Sequence, residues 1–220
     1  MEAIDHPPVD AAERFERAFT LAVEWHRGQP RKGSKAPYVS HLMAVSALVL
    51  EDGGDLDQAA AALLHDAVED TGGLPRLAQI EELLGPRVAQ IVDGCTDAYS
   101  EPKPSWPERK LGYLARIREE TDEGILRVSA ADKLHNVRAI IWDLKRGGEG
   151  VWDILNAPAE LVVGYYVALS EVYSDRLPHS FLPASLDKVL GELRGQTGIQ
   201  PAAPETWETL FELEQEAESP

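Results

Sequence analysis

With 220 residues, 44% hydrophobic and 27% charged, the chain suits one globular domain with a substantial core and at most a small appendage. A net charge of −17 argues against a general nucleic-acid binder, and no run approaches the roughly 20 apolar residues that a membrane helix needs. The single cysteine, Cys95, excludes an internal disulfide and a thiolate cluster, so any metal must be held by His and carboxylates.

Residues 1–10 carry acids and prolines rather than a basic then apolar leader, so the expected compartment is the cytoplasm. Apolar residues then recur at helical spacing, with few β-branched runs. A first helix is predicted over 10–26, followed by a Gly-, Pro- and Lys-rich loop over 28–37. A second helix spans 39–51 and stops at Gly53-Gly54. A third starts at Asp55, an N-cap residue, and continues through Asp70 to Gly72-Gly73. Shorter helices follow over 75–84 and 86–96, with Gly85 and Pro86 as the stop and start signals between them. A proline-punctuated loop covers 97–107, and Pro107 opens a helix over 108–120. Long helices are expected over 125–145 and 159–175. Segments 183–194 and 204–216 read as added amphipathic helices, and the final residues as frayed. The fold class is therefore all-α.

The sharpest chemical feature is Ala60-Ala61-Ala62-Leu63-Leu64-His65-Asp66-Ala67-Val68-Glu69-Asp70. An apolar helix suddenly presents four ionisable groups, which are costly to bury unless paired or bound to a cation. Imidazole and carboxylate together suit Mn²⁺, Fe²⁺, Zn²⁺ or similar ions. A lone His-Asp pair would more simply be a solvated helix end. Two further stretches shift the balance: Pro37-Tyr38-Val39-Ser40-His41, which opens a core helix, and Ser129-Ala130-Ala131-Asp132-Lys133-Leu134-His135-Asn136-Val137-Arg138, where small residues again flank an acid.

These motifs resemble the HD-domain superfamily of metal-dependent phosphohydrolases, with His41, His65-Asp66 and Asp132 in its His…His-Asp…Asp pattern. More closely the chain is similar to the hydrolase domain of RelA/SpoT homologues, including the stand-alone alarmone hydrolases. Arg31-Lys32 before Pro37-Tyr38, Val68-Glu69-Asp70-Thr71 and Ala131-Asp132-Lys133-Leu134-His135-Asn136 carry that closer match, which covers about residues 10–175. Leu42 stands where these hydrolases commonly have proline, and the loop after Asp97 is not closely matched.

The resemblance implies a single HD-domain helical bundle over 1–178 with a short helical extension over 179–220, and no synthetase domain. It implies one divalent ion, Mn²⁺ with Zn²⁺, Fe²⁺ or Co²⁺ as alternatives, held by His41, His65, Asp66 and Asp132. Glu69 and Asp70 would position or deprotonate the attacking water. Arg31, Lys32, Lys103, Arg109, Lys110, Asn136 and Arg138 would contact the substrate, while His135 is read as structural. The implied reaction removes the 3′-pyrophosphate of guanosine tetra- or pentaphosphate. Alternatives are the same site acting on an adenosine alarmone or the 2′-phosphate of NADPH, or a non-catalytic nucleotide-binding domain. The expected partner is a small nucleotide, with no nucleic acid and no membrane; Trp106 either stacks on a base or pins its loop.

Overall fold

A computed structural model describes residues 10–99 and 102–218, so part of the 97–107 loop and both chain ends, including the acidic, proline-bearing start and the last two residues, lie outside the described residues. Among them there is no strand, only an isolated antiparallel bridge between Pro30 and Pro37. No helix is long and apolar enough to cross a membrane among the described residues.

The helices are α1 (Ala11–Trp25), α2 (Val39–Glu51), α3 (Leu56–Leu64), α4 (Ala67–Thr71), α5 (Gly73–Leu84), α6 (Pro86–Cys95), α7 (Trp106–Glu119), α8 (Glu123–Gly147), α9 (Val151–Leu155), α10 (Ala159–Arg176), α11 (Leu182–Thr197) and α12 (Trp207–Glu218). Local chemistry accounts for many of their ends. Asp10, Asp55, Ser105 and Asp122 cap α1, α3, α7 and α8 by accepting from free backbone N–H groups. Gly85, at φ 87°, turns the chain between α5 and α6, a conformation closed to most other residues, and Pro86 restarts the helix.

Helix α3 is the hub. Ala59 to Leu64 are all buried, because the small residues let α1, α2 and α6 pack closely around it. Helix α8 runs past the same hub and also packs on α10 and α11. One hydrophobic cluster extends from Ala18 to Trp207, with Phe211 packed against it, so the segment from Leu182 to Phe211 shares the core of the preceding helices. The buried Asp52 carboxylate ties them further, accepting from Arg127, from the Ser180 hydroxyl and from the Phe181 backbone.

Two expectations need correction. The helix predicted over 55–70 is broken at His65-Asp66 into α3 and α4. Instead of continuing the helical ladder, the His65 ring bonds back to the Ala62 carbonyl at 2.8 Å. Helix α9 was not anticipated; it is one short turn closed by Asn156 in the left-handed region, φ 55°.

Candidate metal centre

Three separate stretches deliver the ionisable groups. Helix α2 begins with His41 in its first turn, the break between α3 and α4 presents His65 and Asp66, and the middle of α8 contributes Asp132. His41, His65 and Asp132 are buried, and one ligand atom from each lies within 4.8 Å of the others. Nε2 of His41 is 3.2 Å from Asp132 Oδ1 and 3.5 Å from Asp66 Oδ2. Nε2 of His65 is 3.1 Å from Asp66 Oδ2 and 3.5 Å from Asp132 Oδ1. Thus the structure brings the four expected ligands together.

Both Nε2 atoms are buried and make no hydrogen bond. A buried polar atom without a partner is costly, so two aimed at the same two carboxylates fit a divalent cation of borderline character. The opposite ring nitrogens are occupied: His65 Nδ1 donates to Ala62 O, which leaves Nε2 as the lone-pair nitrogen, and His41 Nδ1 meets His135 Nδ1 at 2.8 Å. Burial, with His41 and Arg31 nearby, pushes the His135 pKa down to about 4, so the ring is neutral and its Nδ1 is able to accept from a His41 Nδ1–H.

The carboxylates are held in turn. Asp66 accepts from the Tyr38 hydroxyl at 2.5 Å; burial, then Asp66 and Asp70, raises the phenol's pKa and keeps it protonated. Asp132 accepts from Lys133 Nζ at 2.7 Å and Asn136 Nδ2 at 2.6 Å, while Asn136 accepts from Arg31 at 2.9 Å. Burial opposes the charge of Asp132, yet the Lys133 ammonium at 2.7 Å holds the carboxyl well below its ordinary range.

A cavity of about 540 Å³ opens beside this cluster, lined by His65, Asp66, Asp132, Glu69 and Asp70, and by Lys32, Lys103, Arg109, Lys110, Lys133 and Asn136. Glu69 is half-buried; burial, Asp66 and Asp97 raise its pKa, and Oε1 accepts the Asp97 backbone N–H at 2.6 Å. Asp70 is exposed and held by Gln29 at 2.9 Å, whose carbonyl faces His26 Nδ1 at 2.8 Å. Arg109 and Lys110 reach the cavity already bonded to Asp97, at 2.6 and 2.7 Å, so part of their charge is offset. Arg31 lines an adjoining cavity, its guanidinium 5.5 Å from the Tyr38 ring centre. Arg138 is exposed and lines neither cavity. Trp106 is buried edge-on against Tyr165 and Trp207, which pins its loop.

The sequence reading gave no role to Tyr38, His26, Gln29, Lys133 or Asp97, and took His135 as structural. Signals existed for some. Lys133 is a charged residue within a buried helix beside Asp132, and His26 and Gln29 sit three apart where the first helix gives way to the loop that carries Arg31.

Residues 18–158 match the family model described as HD domain, and the chain belongs to that family. It is 36% identical over 126 residues, 56% of its length, to a probable guanosine-3′,5′-bis(diphosphate) 3′-pyrophosphohydrolase of Synechocystis. It is 32% identical over 139 residues to the bifunctional (p)ppGpp synthase/hydrolase SpoT of Escherichia coli. The match takes in only 16% and 19% of these two relatives. A solved structure of a metazoan SpoT orthologue, described as hydrolysing ppGpp, is similar at a TM-score of 0.66 and 26% identity, covering 86% of this chain and 97% of that one.

Proposed function

We propose that the chain is a metal-dependent hydrolase that removes the 3′-pyrophosphate of guanosine tetra- or pentaphosphate, leaving GDP or GTP. The observation that carries this reading is the meeting of two unpartnered, buried imidazole nitrogens with two carboxylates beside a cavity bearing five cationic side chains. The relatives' names supply the nucleotide.

A divalent ion, Mn²⁺ by the family resemblance, held by His41, His65, Asp66 and Asp132 would lower the pKa of water toward neutrality and polarise the phosphoryl group. The residues do the rest. Glu69 takes a proton from the attacking water through Oε2, the oxygen not bonded to Asp97 and only loosely paired with Lys103 at 3.7 Å. Asp70, steadied by Gln29, orients the same water from the outer side of the cavity. Lys32 and Lys103, with the Asp97-paired Arg109 and Lys110 and the Asp132-paired Lys133, counter the phosphate charge. The water oxygen joins phosphorus, the bond from phosphorus to the ribose 3′-oxygen breaks, and that oxygen takes a proton from bulk water to leave as a hydroxyl while Glu69 returns its proton to solvent, with pyrophosphate as the other product.

The test offers ppGpp, pppGpp, ppApp and NADPH in parallel to the purified chain with Mn²⁺. Turnover of the guanosine alarmones far above the others is expected. Selective phosphate release from NADPH would replace this substrate, and binding without turnover in several metals would overturn the hydrolase reading.

A further inference from the structure

We propose that residues 199–213 form a fixed wall of the substrate cavity, and that Phe211 helps determine which nucleotide is held there; this rests on the hydrolase reading above. The family match ends at residue 158, so this segment lies beyond it. Yet Phe211 lines the same cavity as Asp66, Glu69 and the cations, together with Val162 and Tyr165 of α10.

Three observations show that the segment is built in. Trp207 is fully buried and meets the rings of Trp106 and Tyr165 edge-on, both cavity-lining residues. The Ala202 backbone is held at both ends: its N–H donates to Glu160 O at 3.0 Å and its carbonyl accepts from Trp207 Nε1 at 3.0 Å. Gly164 lets the strap lie directly on α10, because a Cβ there would overlap the Ala202 carbonyl oxygen. Backbone against backbone has no flexible atom that can yield, so even a methyl group must displace the strap.

This placement gives the cavity two kinds of lining. Cations and carboxylates serve phosphates and water, whereas Val162, Phe211 and the neighbouring aromatic rings present apolar area that phosphate does not use. A nucleoside supplies the matching ring faces. Phe211 carries no polar group for the water or the ion, so it acts on substrate affinity and choice rather than on bond cleavage.

The experiment compares wild type, Phe211→Ala and Gly164→Ala, measuring turnover of ppGpp and ppApp together with calorimetric binding of both nucleotides. Phe211→Ala is expected to raise KM and Kd for ppGpp about tenfold, with a much smaller change in kcat, and to narrow the preference between the two nucleotides. Gly164→Ala is expected to reproduce that pattern by lifting the strap. Lifting is read by cleavage at Glu205, Glu208 or Glu212 with a glutamyl endopeptidase, the fragments identified by mass. If Gly164→Ala keeps the strap protected, Phe211→Ala decides alone. Wild-type KM and Kd in Phe211→Ala would overturn the wall. A wild type that binds but does not turn over would sink the hydrolase reading, while weakened binding in the variants would still uphold the wall; a wild type that neither binds nor turns over would overturn both.

Discussion

His41 divides its two nitrogens between different tasks: Nδ1 meets His135 at 2.8 Å while Nε2 faces Asp132 at 3.2 Å. A neutral His135 whose Nδ1 accepts from His41 holds the proton on His41 Nδ1, the tautomer that leaves Nε2 able to bind a cation. Removing such an orienting partner commonly costs about 10- to 100-fold in metal affinity, so His135→Ala should weaken Mn²⁺ binding by that order in a direct titration. Asp66→Asn should abolish both binding and turnover, since it removes a charge from the cluster itself; full activity in a metal-free preparation of that variant would refute the ligand set. Gln29→Leu separates the two functions. It releases Asp70 without touching the cluster, so kcat for ppGpp should fall roughly tenfold while the Mn²⁺ titration stays at its wild-type value. These contacts explain the limits of sequence reading at this scale. Spacing along the chain pairs residues within one helix, whereas His135 meets His41 across 94 residues and Arg31 meets Asn136 across 105.

Among the elements, α2, α6 and α10 are readable almost to the residue because periodic apolar positions coincide with stop and start signals, whereas α11 runs past Gly195 to Thr197. The break between α3 and α4 is not readable, since no Gly or Pro marks it; it depends on the His65 ring bonding to Ala62 and on the packing of three other helices around the hub. Helix α8 shows how a cap governs a long element. Asp122 accepts the Gly124 N–H at 2.8 Å and forms a two-pronged ion pair with Arg87 of α6. Asp122→Ala should lower stability by about 1–2 kcal/mol at pH 7, measured by urea unfolding. Its hydrogen bond to Arg87 holds the carboxyl below its ordinary value, against a smaller opposing effect of burial. A folded-state pKa below the unfolded one means that the stabilisation is fully present above the ordinary carboxylate pKa of about 4 and disappears as pH falls through the lower native value. The gap between wild type and variant should therefore shrink as the medium is acidified below about pH 4. A gap that stayed constant on acidification would show that the cap, not the charge, carries the effect.

At the level of the whole molecule, length and composition suit a helical domain but do not reveal that its last segment packs into the core, because Trp207 lies far along the chain from the rings it meets. Charge is distributed with similar consequence. The chain carries −17 overall, yet five cationic side chains face one cavity. An anionic nucleotide approaching from solution meets the acidic field first, which screening limits to about 8 Å at physiological salt. Attraction must therefore come from cations at close range. Arg109 and Lys110 share their charge with Asp97, and Lys133 is committed to Asp132, so the most available charges are Lys32 and Lys103. Lys103 sits 3.7 Å from Glu69 Oε2, a loose pairing that a phosphate can replace. Lys103→Gln removes one charge-assisted contact, which should raise KM for ppGpp by about tenfold. Because the lost contact is electrostatic and partly exposed, KM of the variant should also rise less steeply with NaCl than that of the wild type. A variant with raised KM but an unchanged salt slope would show that Lys103 shapes the loop rather than meeting the phosphates.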